Sequence, residues 1–527
     1  MKRTIMVGAA LLVLAAPSSA ASAAPAAPVA VRGTFEIVKF DRFGAGTVRY
    51  RTSVKTRSGR SVPLRLSGRV PIALAGQTVE VRGRRAERGL RAPAGGIRVL
   101  RRGGSGPLAA SANVAGTQRV LVFLLNFTND RSQPWTPAQV RDVVFSGASS
   151  VSAYFREQTF GHIDLAGTVL GWYPLGVDNA TCDTYGWAAA ADGLAKAAGI
   201  NLSAYTHRVY AWPRADACRW TGSAVINGTQ AFINGGMTTY FVAHELGHNF
   251  GAHHANSISC TDASGARVAI SSSCSRSEYG DPFDVMGHSL RHMNNWHKGQ
   301  YGVFEPGNVL TASASGTYRL VPQEWAATGV QVLRIPRGVS GTYYYLEYRQ
   351  PFGFDTFLST DPVVGGVSIR IAPDFSTVTQ SELVDATPET AAYTDSALGP
   401  GRTFSDPDYG ISVTTETASA GSAQVHVAFG NQREPPSADT TTPTPPQNVS
   451  GEARTKPKRI VLAWGPATDN VGVAGYRVYR NGTQAATTTA PGYVDRGRSA
   501  GGTYYVVAFD AAGNVSDASN AVSVVRP

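Results

Sequence analysis

The stretch FVAHELGHNFGAHHAN, residues 241–256, constrains this chain more than any other, because it prescribes a helix, a turn and a metal geometry together. His244 and His248 stand four residues apart, one turn apart on one helical face, where both imidazoles can reach a single ion. Glu245 follows the first of them, placed to reach a water on that ion. Gly251 permits a sharp turn with φ > 0 that ends the helix. His254 falls at the offset that brings a third imidazole round, whereas His253 comes one residue early and is expected to point elsewhere. Three protein ligands leave one coordination position open, as in a catalytic zinc site; a structural site would be closed by a fourth Cys or His. The spacing therefore predicts one Zn²⁺ held by His244, His248 and His254, with Glu245 as general base.

A chain of 527 residues is too long for one ordinary domain, and its many Gly, Thr, Ser and Val read as globular and β-rich. Lys2 and Arg3 precede the apolar run IMVGAALLVLAA and the small residues PSSAASAA, the pattern of a secretory signal peptide cut between Ala20 and Ala24. That run is too short to span a bilayer, and no other stretch suits a membrane span. Export makes the four cysteines candidates for two disulfides. Of the three possible pairings, Cys182–Cys218 with Cys260–Cys274 closes the shortest loops. Residues 31–107 hold 18 Lys or Arg against four acidic residues, while the chain beyond them is net acidic. A basic excess confined to one end excludes a whole-protein nucleic-acid binder.

The pattern divides the chain into segments. After the signal peptide (1–24), residues 25–107 read as short strands of a small basic β-barrel or sandwich, a propeptide or accessory domain of opposite charge to the rest. The loop 101–118 is a candidate proteolytic site at Arg101–Arg102. Residues 108–305 alternate strands and helices: RVLVFLLNF as a buried strand, TPAQVRDVVF as a helix capped by Thr136, and helices ended by Gly161 and Gly199. Residues 306–430 carry only strand signals, as in a β-sandwich, and 431–446 form a Pro/Thr-rich linker. In 447–527, RVYRNGTQAA holds an Asn-Gly hairpin turn and Trp464 points inward.

SEYGDPFDVMGHS, residues 277–289, places Met286 before a glycine thirty-odd residues after the histidines. With HELGHNFGAHHA, it resembles the metzincin metallopeptidases, and within them the gametolysin family, over roughly residues 119–300. The resemblance implies a multidomain chain: an α/β metzincin-like catalytic domain, with a mixed sheet and a zinc-binding helix, flanked by all-β domains. It also implies Met286 as the Met-turn residue beneath the zinc. Glu278, Asp281 and His288 are candidates for support around the ligands. Glu278 as third zinc ligand would leave Gly251 and His254 unexplained. No Cys precedes residue 182, so latency through a propeptide thiolate is excluded; steric cover or an acid such as Glu36, Asp41, Glu80 or Glu87 would have to serve.

The implied activity is that of a secreted, extracellular zinc endopeptidase acting on proteins or peptides, with residues 25–107 as inhibitor or folding aid. A structural Ca²⁺ is not indicated. The competing class is a non-catalytic adhesion protein on a peptidase scaffold, against which the intact Glu245 argues. The last 80 residues resemble a fibronectin type III module, on Trp464, the stretch 468–482 and the Tyr504-x-Val506-x-Ala508-x-Asp510 run; the resemblance implies a spacer or a contact with a polymer or cell wall, with the Trp and Tyr side chains serving first as sandwich core.

Overall fold

A computed structural model describes residues 29–101, 114–430 and 441–525, apart from 44–46, 68–69, 88, 94, 456–457, 470–472, 489, 496–500 and 511–513. The expected signal peptide, loop residues 102–113 with Arg102, and linker residues 431–440 lie outside the described residues. The chain divides into two compact units, Met1–Ala428 and Phe429–Pro527. The fold is multi-sheet and mostly β, with few helices.

The first unit opens with a barrel of β1 (Val29–Arg42), β2 (Thr47–Lys55), β3 (Ser61–Leu66), β4 (Thr78–Ala86) and β5 (Gly89–Ala92), with β6 (Ile97–Arg101) added on β4. The barrel closes because β1 changes partner midway: Val29–Thr34 pair with β4, and Thr34–Arg42 pair with β2. Gly33 stands at the change, where a Cβ would strike the Lys55 carbonyl oxygen at 2.1 Å. Phe35, Ile37, Val54, Val79 and Val81 fill the interior. The sequence left this segment as a barrel or a sandwich, and it did not show that β1 continues into the neighbouring sheet.

That sheet comprises β7 (Gly116–Asn126), β8 (Ile163–Pro174), β9 (His207–Trp212), β10 (Gly222–Val225) and β11 (Gln230–Asn234), in the order β1-β10-β11-β9-β7-β8. Strands β11, β9, β7 and β8 are parallel; β10 is antiparallel to β11. The near-continuous apolar run of β7 is explained by cover on both faces. Val120, Val122 and Leu124 face the core under α2 (Val151–Gln158) and α4 (Thr239–Asn249), while Leu121, Phe123 and Leu125 face α3 (Thr184–Ala197). The short helix α1 (Pro137–Arg141) starts at the expected cap, with Thr136 and Gln139 forming a capping box.

The second sheet begins with β12 (Ala255–Thr261). This strand pairs in parallel with Ser381–Val384, and the sheet continues through Val367–Pro373, Thr342–Tyr348, Val332–Pro336 and Val309–Thr311. It packs on a four-stranded sheet, with Tyr344 against Phe404 at 5.1 Å and the Tyr348 hydroxyl donating to the Ser419 carbonyl at 2.6 Å. The sandwich signals after residue 306 are thus real strands, but the boundary at 305/306 cuts through a shared sheet. Local periodicity announces a strand without naming its distant partner. Both disulfides pair as expected: Cys182–Cys218, and Cys260–Cys274 directly opposite each other on adjacent strands.

In the second unit a three-stranded sheet and a four-stranded sheet enclose Trp464, Tyr476, Val478 and Tyr504. Its Asn481-Gly482 turn has φ of 50° and 79°, the two positive values a primed hairpin turn requires.

Candidate metal centre

Helix α4 starts at Thr238, whose hydroxyl accepts from the Phe241 N–H at 3.3 Å, and carries His244, Glu245 and His248, all buried. Beyond its end Gly251 adopts φ of 103°, and its N–H donates to the His248 carbonyl at 3.0 Å. The chain then turns back and buries His254 beside the helix.

The ring nitrogens are sorted by their partners. His244 Nδ1 faces the Val285 carbonyl at 2.7 Å and His248 Nδ1 faces the Ala252 carbonyl at 2.8 Å. A carbonyl only accepts, so both Nδ1 atoms are protonated and both Nε2 atoms present lone pairs. His254 Nδ1 lies 2.5 Å from Glu278 Oε1, which orients its Nε2 the same way. The Nε2 atoms of His248 and His254 are 3.2 Å apart, and His244 Nε2 is buried without a hydrogen-bond partner among the described residues. Nitrogens bound to one tetrahedral zinc lie about 3.3 Å from each other. Three lone pairs converging in a buried space therefore fit a cation. Burial holds the His244 imidazolium well below its usual range, with His248 adding to the effect, and pushes His248 down to about 4, so both rings are neutral as ligands must be.

Glu245 is buried, and neither carboxylate oxygen has a hydrogen-bond partner among the described residues. Burial and the neighbouring Asp41 carboxylate hold its carboxyl well above the usual range. A Cβ on Gly222 of β10 would meet Glu245 Oε1 at 1.9 Å, so a glycine there leaves the space that this carboxylate fills.

Met286 lies beneath the helix: a Cβ on Gly247 would meet its sulfur at 2.5 Å. Its turn is set by Asp284, which accepts from the Met286 and Asn294 N–H groups, each at 2.7 Å, and from His297 Nδ1 at 3.0 Å. The same turn supplies the Val285 carbonyl that fixes His244.

The supporting candidates separate. Glu278 holds His254 and also accepts from Gln380 Nε2 at 3.0 Å. Asp281 is buried and paired with Arg370 at 2.7 Å, anchoring the loop rather than a ligand. His288 is exposed, with its backbone N–H on the Asp281 carbonyl, and is not brought to the histidine cluster. The chain reverses at Gly287, so the position two residues after Met286 faces solvent. His253 is buried outside the cluster, as its spacing implied.

Two contributors come from places the motif does not reach. Asp41, on β1, joins His244, His248 and His254 in one group whose ligand atoms lie within 4.8 Å of each other. Its Oδ1 is 2.9 Å from His254 Nε2 and its Oδ2 is 3.4 Å from His248 Nε2. Burial alone would raise the Asp41 carboxyl, yet the His254 and His248 rings hold it well below the usual carboxylate range. Asp41 was one of four acids the sequence offered for latency. Glu36 and Glu80 instead face Lys55 at 3.5 Å and Arg32 at 2.5 Å, and Glu87 is exposed. Tyr279 sets its ring centroid 3.9 Å from that of His254, tilted by 37°, and donates its hydroxyl to Asp41 Oδ1 at 2.6 Å. The only hint of it in sequence was its place beside Glu278.

Comparisons with known proteins cover parts of the chain. The gametolysin peptidase M11 family model matches residues 119–348. Chitinase A1 of Niallia circulans is 51% identical over 92 residues, 17% of this chain and 13% of that protein. Chitinase Chi52 of Paenibacillus xylanexedens is 43% identical over 101 residues, 19% of each chain. Exoglucanase B of Cellulomonas fimi is 34% identical over 184 residues, 29% of this chain and 16% of its own. The chain thus spans less than a fifth of these relatives. Among solved structures, the catalytic module of the metalloprotease ZmpA from Clostridium perfringens aligns at 19% identity over 14% of this chain and 15% of that one, with a TM-score of 0.13. Residues 119–348, which contain the three convergent histidines, Glu245 and Met286, match the gametolysin peptidase family model as one part of a longer chain.

Proposed function

We propose that this chain is a secreted, zinc-dependent endopeptidase of metzincin type. The observation that carries the reading is the convergence of three buried imidazole nitrogens beside an unpartnered, buried Glu245. His244, His248 and His254 would hold the ion, which when bound supplies Lewis-acid polarisation of a scissile carbonyl and an acidified water. Glu245 accepts the proton of the attacking water and passes it to the leaving amine. Val285, Ala252 and Glu278 keep the three rings in the ligating tautomer. Casein hydrolysis by the protein freed of residues 29–101 should vanish with a chelator and return with Zn²⁺. Hydrolysis that persists in the zinc-depleted protein would defeat this reading, and a protein freed of residues 29–101 that binds zinc yet never cleaves would favour the adhesion scaffold.

Tyr279 is the donor best placed to stabilise developing negative charge, since its hydroxyl already donates to a carboxylate oxygen beside the ligands. Tyr279→Phe is expected to lower kcat about 10²-fold or more, with KM and zinc content little changed. A loss confined to KM, or a loss of zinc, would assign it a different role.

The C-terminal unit is proposed to touch a polymer. Trp464 and Tyr476 are spent in its core, but half-buried Tyr479 and Tyr505 stack at 4.8 Å and 3° on adjacent strands. Relatives named as chitinases make chitin the first polymer to test. Tyr505→Ala should reduce retention on insoluble chitin several-fold; equal retention of the variant would remove the platform from consideration.

A further inference from the structure

We propose that strand β1 is the resident occupant of the peptidase cleft and that the Asp41 carboxylate is the fourth ligand of the metal, so that the intact chain is latent until this strand leaves. The inference rests on the metal reading above and adds to it a group from outside the peptidase domain.

The backbone supplies the first part. Residues Val38–Asp41 add antiparallel to β10, in the register Val38↔Val225 to Asp41↔Gly222. Without β1, strand β10 would be the free edge of the sheet beside the zinc helix. Adding a strand to such an edge is how an extended peptide binds. The Thr221 N–H donates to the Asp41 carbonyl at 3.1 Å, and the Ser223 hydroxyl to the Lys39 carbonyl at 2.5 Å.

The side chains supply the second part. A strand sends alternate residues to opposite faces, and Lys39, Asp41 and Phe43 take the face toward the histidines. Phe40 turns away, against Trp220 at 5.9 Å. Phe43 packs its ring on His244 at 4.7 Å and on Phe241 at 4.8 Å. Lys39 is fully buried, with Nζ 3.8 Å from Glu278. Between them the Asp41 carboxylate touches two ring nitrogens and the Tyr279 hydroxyl. A carboxylate this deep beside another acid, Glu245, needs a compensating charge. A divalent cation shared with three imidazoles provides it. Asp41 then fills the coordination position that hydrolysis needs open, and β1 fills the track a substrate backbone would follow.

The test uses the full chain carrying Glu245→Gln, which cannot process itself, loaded with Co²⁺ and titrated with acetohydroxamate while the visible cobalt spectrum is followed. The intact form should resist the ligand, and added Asp41→Ala or Asp41→Asn should tighten its apparent Kd about 100-fold, as expected if the open state is a one-percent minority. The Asp41 variants should also shift the cobalt bands before any ligand is added. Acetohydroxamate affinity in the intact chain equal to that of the same chain cleaved after Arg101 overturns the proposal without reference to any Asp41 variant. Resistance that persists in both Asp41 variants, with unshifted bands, removes Asp41 from the metal. A cobalt spectrum missing from every form defeats the metal reading itself, and the proposal with it.

Discussion

Replacing Glu245 by Gln is expected to leave zinc binding intact while casein hydrolysis falls by about 10²–10⁴-fold. The side chain binds no ligand histidine and has no hydrogen-bond partner among the described residues, so its amide isostere removes no structural contact. What disappears is the capacity to accept a proton. The space for it is already shaped by Gly222, so size-matched Gln should fit. The assay belongs in protein freed of residues 29–101, where the cleft is open. Activity within a few-fold of the parent would sink the general-base assignment, and loss of zinc would show that the carboxylate holds the site together.

The largest expected loss of stability lies away from the metal. Arg349 is fully buried, with Nε 3.0 Å from Glu324, Nη1 3.3 Å from Glu347 and Nη2 2.5 Å from Asp355. It also donates to the Phe283 carbonyl at 2.9 Å and the His292 carbonyl at 3.2 Å. Glu347 is shared with Arg370, which in turn holds Asp281. Burial raises the Glu324 carboxyl well above the usual range, whereas Arg349 pulls Asp355 below it against the same burial. Arg349→Met keeps much of the stem and deletes the charge, leaving buried acids without their partner. The expected cost is about 3–5 kcal/mol, read as a lower midpoint in thermal or denaturant unfolding. A midpoint equal to the parent's would mean that the acids take up protons without structural loss.

The residues that do the proposed chemistry were legible because their spacing is local. An i, i+4 pair, a glycine with forced φ and a third histidine all lie within eleven positions, and each contact depends on one helix and one turn. The short strands of the N-terminal segment, the apolar β7 and the two disulfides were legible for similar reasons: alternation, continuous hydrophobicity and short loops. What escaped was pairing at a distance. Asp41 meets His254 across more than two hundred residues, and only the route of β1 into a second sheet brings them together. Tyr279 depends on a positive φ of 60° in a non-glycine residue, which no propensity announces. The sandwich boundary failed for the same cause, since β12 finds its parallel partner at 381–384.

That last pairing determines what may be cut from the chain. A fragment ending at residue 305 would retain every histidine of the motif and Met286, yet lose Arg370, which grips Asp281, and Gln380, which steadies the carboxylate behind His254. It would also lay bare the flank of β12, the strand that begins directly after His254. The histidine motif is therefore not a portable cassette. Its smallest self-sufficient host runs at least to Val384, well past the point where the helical part of the domain stops.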